Sequence, residues 1–184
     1  MDVGLVITLV VVALIVLWGV GAYNGLVKSR NRIDAAWGQI DVQLQRRHDL
    51  VPNLVDTVKG YAAHEQATLQ QVIEARNRAL AAQGPANLAA AEQQLGGALA
   101  KVFALAEDYP DLEASDSFTS LQAQLSETED KVAIARQIYN DTVLTYNNRV
   151  QTLPSSVIAS ATGMETREYF DAGEAAGTVP DVEF

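Results

Sequence analysis

The chain has 184 residues, no cysteine and a formal net charge of −10. Without cysteine there are no disulfides, no thiolate nucleophiles and no cysteine-held metal. The acidic balance argues against nucleic acid, whose phosphates need an organised basic face.

From Val3 to Val27 no side chain is charged, and Lys28, Arg30 and Arg32 follow at once. As a helix rising about 1.5 Å per residue, Val3 to Ala22 reaches roughly 30 Å, the thickness of a bilayer's hydrocarbon core. Residues 1–27 are therefore expected to be a single transmembrane anchor. Trp18 and Tyr23 mark its interfacial end, with Lys28, Arg30 and Arg32 at the headgroups. The same cation bias predicts a single-pass protein of the cell membrane, with the N-terminus outside and the rest cytoplasmic. A cleaved secretory signal is the competing reading, since Val20-Gly21-Ala22 resembles a cleavage site. The acidic start and the long apolar stretch count against it. Gly21 and Gly25 form a small-xxx-small pair that can bring two anchor helices together, a candidate self-association site.

About 160 residues remain, enough for one domain with its own core. Apolar residues at alternating spacings of three and four predict four amphipathic helices. The first runs on from the anchor through Ile33, Trp37, Ile40 and Leu44 and is expected to stop near Asp49, with Pro52 opening the second. That second seam is Leu54, Val58, Tyr61, Leu69, Val72 and Leu80. After the break at 84–87, Asn87 is placed as the cap of a third helix carrying Leu88, Leu95, Leu99 and Val102. A fourth starts at Ser115 or Ser117 and carries Phe118, Leu121, Leu125, Val132, Tyr139, Tyr146 and Val150, with Pro154 beyond it. The fold class is thus all-α, an N-terminal transmembrane helix continuing into an antiparallel up-down-up-down four-helix bundle over 28–153. Residues 154–184 form a C-terminal tail, partly interfacial through Val157, Ile158, Ala161 and Met164, and acidic after Glu165. Tyr23-Asn24, Val27 and Asn31 recur at the same offsets as Tyr139-Asn140, Val143 and Asn147, and the two stretches are expected to be neighbours.

Two blocks carry a family resemblance. YNGLVKSRNRIDAAWGQIDVQLQRRHDLVPNLVDTVKGYAAHE, residues 23–65, and YNDTVLTYNNRVQTLPSSVIA with REYF, near the C-terminus, resemble the LemA family of bacterial membrane proteins. The chain departs from that pattern at Leu153 and at 160–164, where family members often carry aromatic residues. The resemblance implies an anchored four-helix domain and no established enzymatic activity. By family association it implies bacterial envelopes, magnetosome membranes in one branch, and a membrane metalloprotease as a partner.

Catalytic equipment is sparse. His64-Glu65 starts like a zinc-protease motif, which needs a second histidine four residues after the first, and position 68 is Thr. Glu107, Asp108, Asp111, Glu113 and Asp116 crowd one connection but lack the glycine and spacing of a calcium loop. No cofactor, metal or catalytic residue is assigned. Asp41, Arg46, Arg47, Asp49 and Asn53 form a dense polar cluster, a candidate docking surface or ion-pair network. The expected function is a non-enzymatic, membrane-anchored scaffold that forms homo-oligomers and organises lipid or partner proteins. The alternative is an adaptor or regulator of the membrane metalloprotease.

Overall fold

The computed structural model describes residues 2–171, and every regular element among them is a helix. These are α1 (Val3–Tyr61), α2 (Gln66–Ala81), α3 (Pro85–Ala106), α4 (Pro110–Glu113), α5 (Asp116–Gln151) and α6 (Ser155–Ala161). The acidic residues Glu174, Asp181 and Glu183 lie outside the described residues. Among the described residues the chain divides into two units, one of residues 2–38 with Ile138–Glu168, the other of Gln39–Gln137 with residues 169–171.

In the first unit, α1 opens with a stretch long and apolar enough to cross a membrane, the one such stretch among the described residues, and its side chains are exposed. A helix apolar on all faces and unpacked by protein is the form a bilayer span takes. Farther along, Leu26, Ser29, Ile33 and Ala36 are buried at spacings of three, four and three, and Tyr139, Val143 and Tyr146 on α5 follow the same rule. Trp37 meets Tyr139 edge to face with ring centroids 5.4 Å apart. The echoed stretches do share this unit, yet their residues play unequal parts. Tyr139, Val143 and Asn147 are buried, while Tyr23 and Asn31 are exposed.

The second unit holds one apolar cluster. Val51, Leu54, Val55 and Val58 from α1 join Leu69 and Val72 of α2, Leu95, Leu99 and Val102 of α3, and Phe118, Leu121 and Leu125 of α5. Leu112 of the short α4 is fully buried in the same cluster, and Phe103 meets Phe118 edge to face. Each such side chain contributes about 1.5–3 kcal/mol of transfer free energy.

The helix boundaries depart from the sequence reading at one instructive place. α1 does not stop near Asp49 but runs through Pro52 to Tyr61, and the first corner lies at 62–65. Proline has no N–H to give the carbonyl four residues earlier, which here belongs to His48. Arg76 of α2 supplies the missing donor, its Nε lying 2.8 Å from the His48 carbonyl oxygen. The helix therefore passes proline without orphaning that acceptor. The start of α3 also shifts: Pro85 takes the first turn, and the Asn87 side chain donates back to the Gln83 carbonyl instead of capping.

Candidate membrane-proximal site and buried ionic cluster

Two side-chain constellations stand out, one in each unit. In the first, the seam spacing that buries Leu26 and Ile33 also turns Ser29 inward, to 4% exposure. Its hydroxyl would be costly there without a partner. Arg149 of α5 donates through Nη1 to Ser29 Oγ at 3.0 Å and toward the Gly25 carbonyl at 3.4 Å. Gly25 thus faces the chain's own Arg149, whereas a Cβ at Gly21 would meet open space. Trp18, Tyr23, Lys28, Arg30 and Arg32 are all exposed, so the aromatic pair and the cations directly after the apolar stretch are available to headgroups.

Beyond α5 the chain turns into α6 and comes back. Gly163, at φ +65, closes α6 in the left-handed conformation that suits glycine. The Met164 N–H bonds the Ala159 carbonyl at 2.9 Å and the Gly163 N–H reaches Ser160 at 3.4 Å, the paired bonds of a Schellman motif. The returning strand is then clasped by α5. Asn147 donates through Nδ2 to the Arg167 carbonyl at 2.9 Å and accepts the Arg167 N–H at 2.8 Å. The Tyr139 hydroxyl donates to the Glu168 carbonyl at 2.9 Å, and burial pushes its phenol above the ordinary tyrosine value. Arg167 also pairs with Asp34 at 3.4 Å.

The second constellation lies where the polar cluster was expected. Arg47 and His48 sit mid-helix, both buried, and both engage Glu92 of α3, itself only 6% exposed. Arg47 Nη1 is 3.4 Å from Glu92 Oε2, and His48 Nε2 is hydrogen-bonded to Glu92 Oε1. Arg47 Nη2 also reaches Glu129 at 3.8 Å. These are not charges at a helix end but an ion pair inside a helical core. Arg46 faces outward to Glu127, whose carboxyl is held below its usual range first by the hydrogen bond from Lys131 and then by the Lys131 and Arg46 charges. Asp49 accepts a bond from Gln45, and Asp41 and Asn53 are exposed.

Sequence reading placed Arg47 in a polar cluster but missed its partner. The signal was present, because Glu92 stands on the seam between Leu88 and Leu95, where an unpaired carboxylate would not be tolerated. His64 and Glu65 fall on the corner at 62–65, where Glu65 accepts a hydrogen bond from the Tyr109 hydroxyl. That bond and burial raise the Tyr109 phenol, burial being the larger cause. Among the described residues no three histidine or carboxylate side chains are placed to hold a metal. Each constellation joins helices, Arg149 of α5 to Ser29 of α1 in one and Arg47 of α1 to Glu92 of α3 in the other.

The sequence is similar to those of known proteins. Two magnetosome proteins named MamQ, from Paramagnetospirillum magneticum and Magnetospirillum gryphiswaldense, are 26% and 25% identical in alignments covering 85% of this chain and 67% of each relative. The protein LemA of Metamycoplasma hominis is 26% identical, over 84% of this chain and 71% of the relative. A profile of the LemA family matches residues 36–184, from within α1 through the returning segment, and the chain belongs to the LemA family.

Proposed function

We propose that the protein is a non-enzymatic, membrane-anchored scaffold that self-assembles and organises membrane or partner proteins at the cytoplasmic face. The observation that carries this reading is α1, which continues without a break from an exposed apolar stretch into packed, seam-bearing helix. A helix of 59 residues couples whatever gathers at the membrane to whatever docks on the body. Lys28, Arg30 and Arg32 on one side of the span, against Asp2 on the other, support an outside N-terminus. Self-assembly is supported by apolar side chains left at the surface away from the span. Ile134 and Ile138 lie one turn apart on α5 at 61% and 45% exposure, and Val42 on α1 is 64% exposed. Gly21, open on its face, is the position at which we infer that two anchors approach.

The antiparallel four-helix arrangement is part of the same reading. It is supported by the short connections at 62–65, 82–84 and 107–115, and by contacts that pair early α1 with late α5. The relatives named as magnetosome proteins lend support to a membrane-associated role.

Counting subunits of the full chain in lipid nanodiscs, by mass photometry over a range of protein densities, tests the scaffold. Assemblies larger than one chain are expected, and Gly21→Leu should shift them toward monomer. A chain that stays monomeric at every density would overturn self-assembly.

A further inference from the structure

Between Arg149 and Arg167 the chain makes an excursion along α1 whose feet and tip are all fixed within one unit. One foot is Arg149, bonded to Ser29 and Gly25; the other is Arg167, paired with Asp34 and clasped by Asn147. The tip is α6, where Ile158 Cδ1 comes within 3.6 Å of the place a Cβ on Gly19 would occupy. At about 1.5 Å of rise per residue, Gly19 lies roughly 15 Å below Ser29 and about 22 Å below Asp34 along the helix. The excursion therefore descends from the level of the cations to the depth of the span's last turns, beside Trp18, and climbs back.

Its composition suits that depth. From Val150 to Met164 there is no charged residue, and Arg149 and Glu165 bound the run on either side. Thr152, Ser155 and Thr162 return their hydroxyls to nearby backbone carbonyls, Thr152 to Asn148, Ser155 to Arg149 and Thr162 to Ile158, while Ser160 is exposed. The Schellman motif at Gly163 closes the C-terminal end of α6 in the same way. Satisfying polar groups within the segment is what a medium poor in water demands. Meanwhile Val157 of α6 is 58% exposed, and Leu153, in the turn that leads from α5 into α6, 78%.

We propose that residues 150–164 form a wedge inserted into the headgroup and upper acyl region of the leaflet at the C-terminal end of the span, with lipid covering Leu153 and Val157. Lipid is the occupant because α6, which carries Val157, meets α1 through Ile158 at the level of Gly19, within an apolar stretch whose side chains are otherwise exposed. The wedge rests on the reading of α1 as a membrane span. Its distinguishing feature is that it reaches the bilayer already folded, its feet held by α1 and α5.

Because the chain has no cysteine, single-cysteine variants of the full protein can carry a nitrobenzoxadiazole label without background. The labelled sites are Leu153→Cys and Val157→Cys, with Leu17→Cys in the span and Asp116→Cys, at an exposed position, as the water-facing control. Each is reconstituted in vesicles of phosphatidylcholine with a minority of phosphatidylglycerol, and doxyl lipids quench either near the headgroups or near the bilayer centre. Labels at 153 and 157 should be several-fold brighter than at 116 and quenched chiefly by the shallow doxyl lipid, with 17 quenched chiefly by the deep one. Quenching at 17 with 153 and 157 as unquenched as 116 overturns the wedge and leaves the anchor standing. An unquenched label at 17 overturns the span and the wedge together.

Discussion

Glu92 accepts two buried cationic or hydrogen-bonding partners, Arg47 and His48, from a single turn of α1. A buried ion pair adds little stability over a well-packed apolar replacement, but breaking it by removing one partner strands a charge in the core. Glu92→Ala is therefore expected to destabilise the chain by about 3–5 kcal/mol, whereas Arg47→Met combined with Glu92→Leu should recover much of that loss. Denaturant titration of the helical circular dichroism signal checks both, and a double variant no better than Glu92→Ala would contradict the ion-pair account. Glu92 was legible as a polar residue on an apolar seam; which cation answers it was not, because the partner lies 45 residues away and is chosen by packing. The echoed tyrosines and asparagines carry a related lesson. Identical letters at identical offsets end up buried in α5 and exposed in α1, since burial depends on what lies alongside.

At the scale of the element, the apolar stretch and the seams of three-and-four spacing made the helices legible, while Gly84-Pro85, read as part of a break before an Asn87 cap, proved to be the start of α3. Pro52 was misread as a helix start because local chemistry favours proline in a first turn. A distant guanidinium changes that balance by taking over the deprived carbonyl, and no local pattern announces it. The coupling is measurable as a double-mutant cycle. Arg76→Leu should cost about 1.5 kcal/mol in the native chain, the range for a hydrogen bond from a charged donor. In a Pro52→Ala background the cost should fall, because the alanine N–H bonds the His48 carbonyl itself. Equal costs in the two backgrounds would mean that Arg76 acts by packing or by charge and not by relieving the proline. The short α4 and the corner at 62–65 were not legible, since four residues are too few to display a period and Leu112 is recruited by the core it completes.

For the whole molecule, the all-helical class was legible in the three-and-four seams, the long apolar helix in the uncharged run Val3–Val27, and the family in the blocks around 23–65 and 139–170. The clasp of Asn147 and Tyr139 on the returning strand was not, because it joins side chains to backbone carbonyls that no sequence pattern marks. The functional reading depends on which side of the membrane the helical body occupies, since that decides which partners it meets. A membrane-impermeant maleimide applied to intact cells measures this directly on the cysteine-free chain, using Asp2→Cys before the span and Asp116→Cys at the start of α5. The expected result is labelling of Asp2→Cys and no labelling of Asp116→Cys until the membrane is permeabilised. Labelling of Asp116→Cys in intact cells would contradict the account, whether or not Asp2→Cys also reacts.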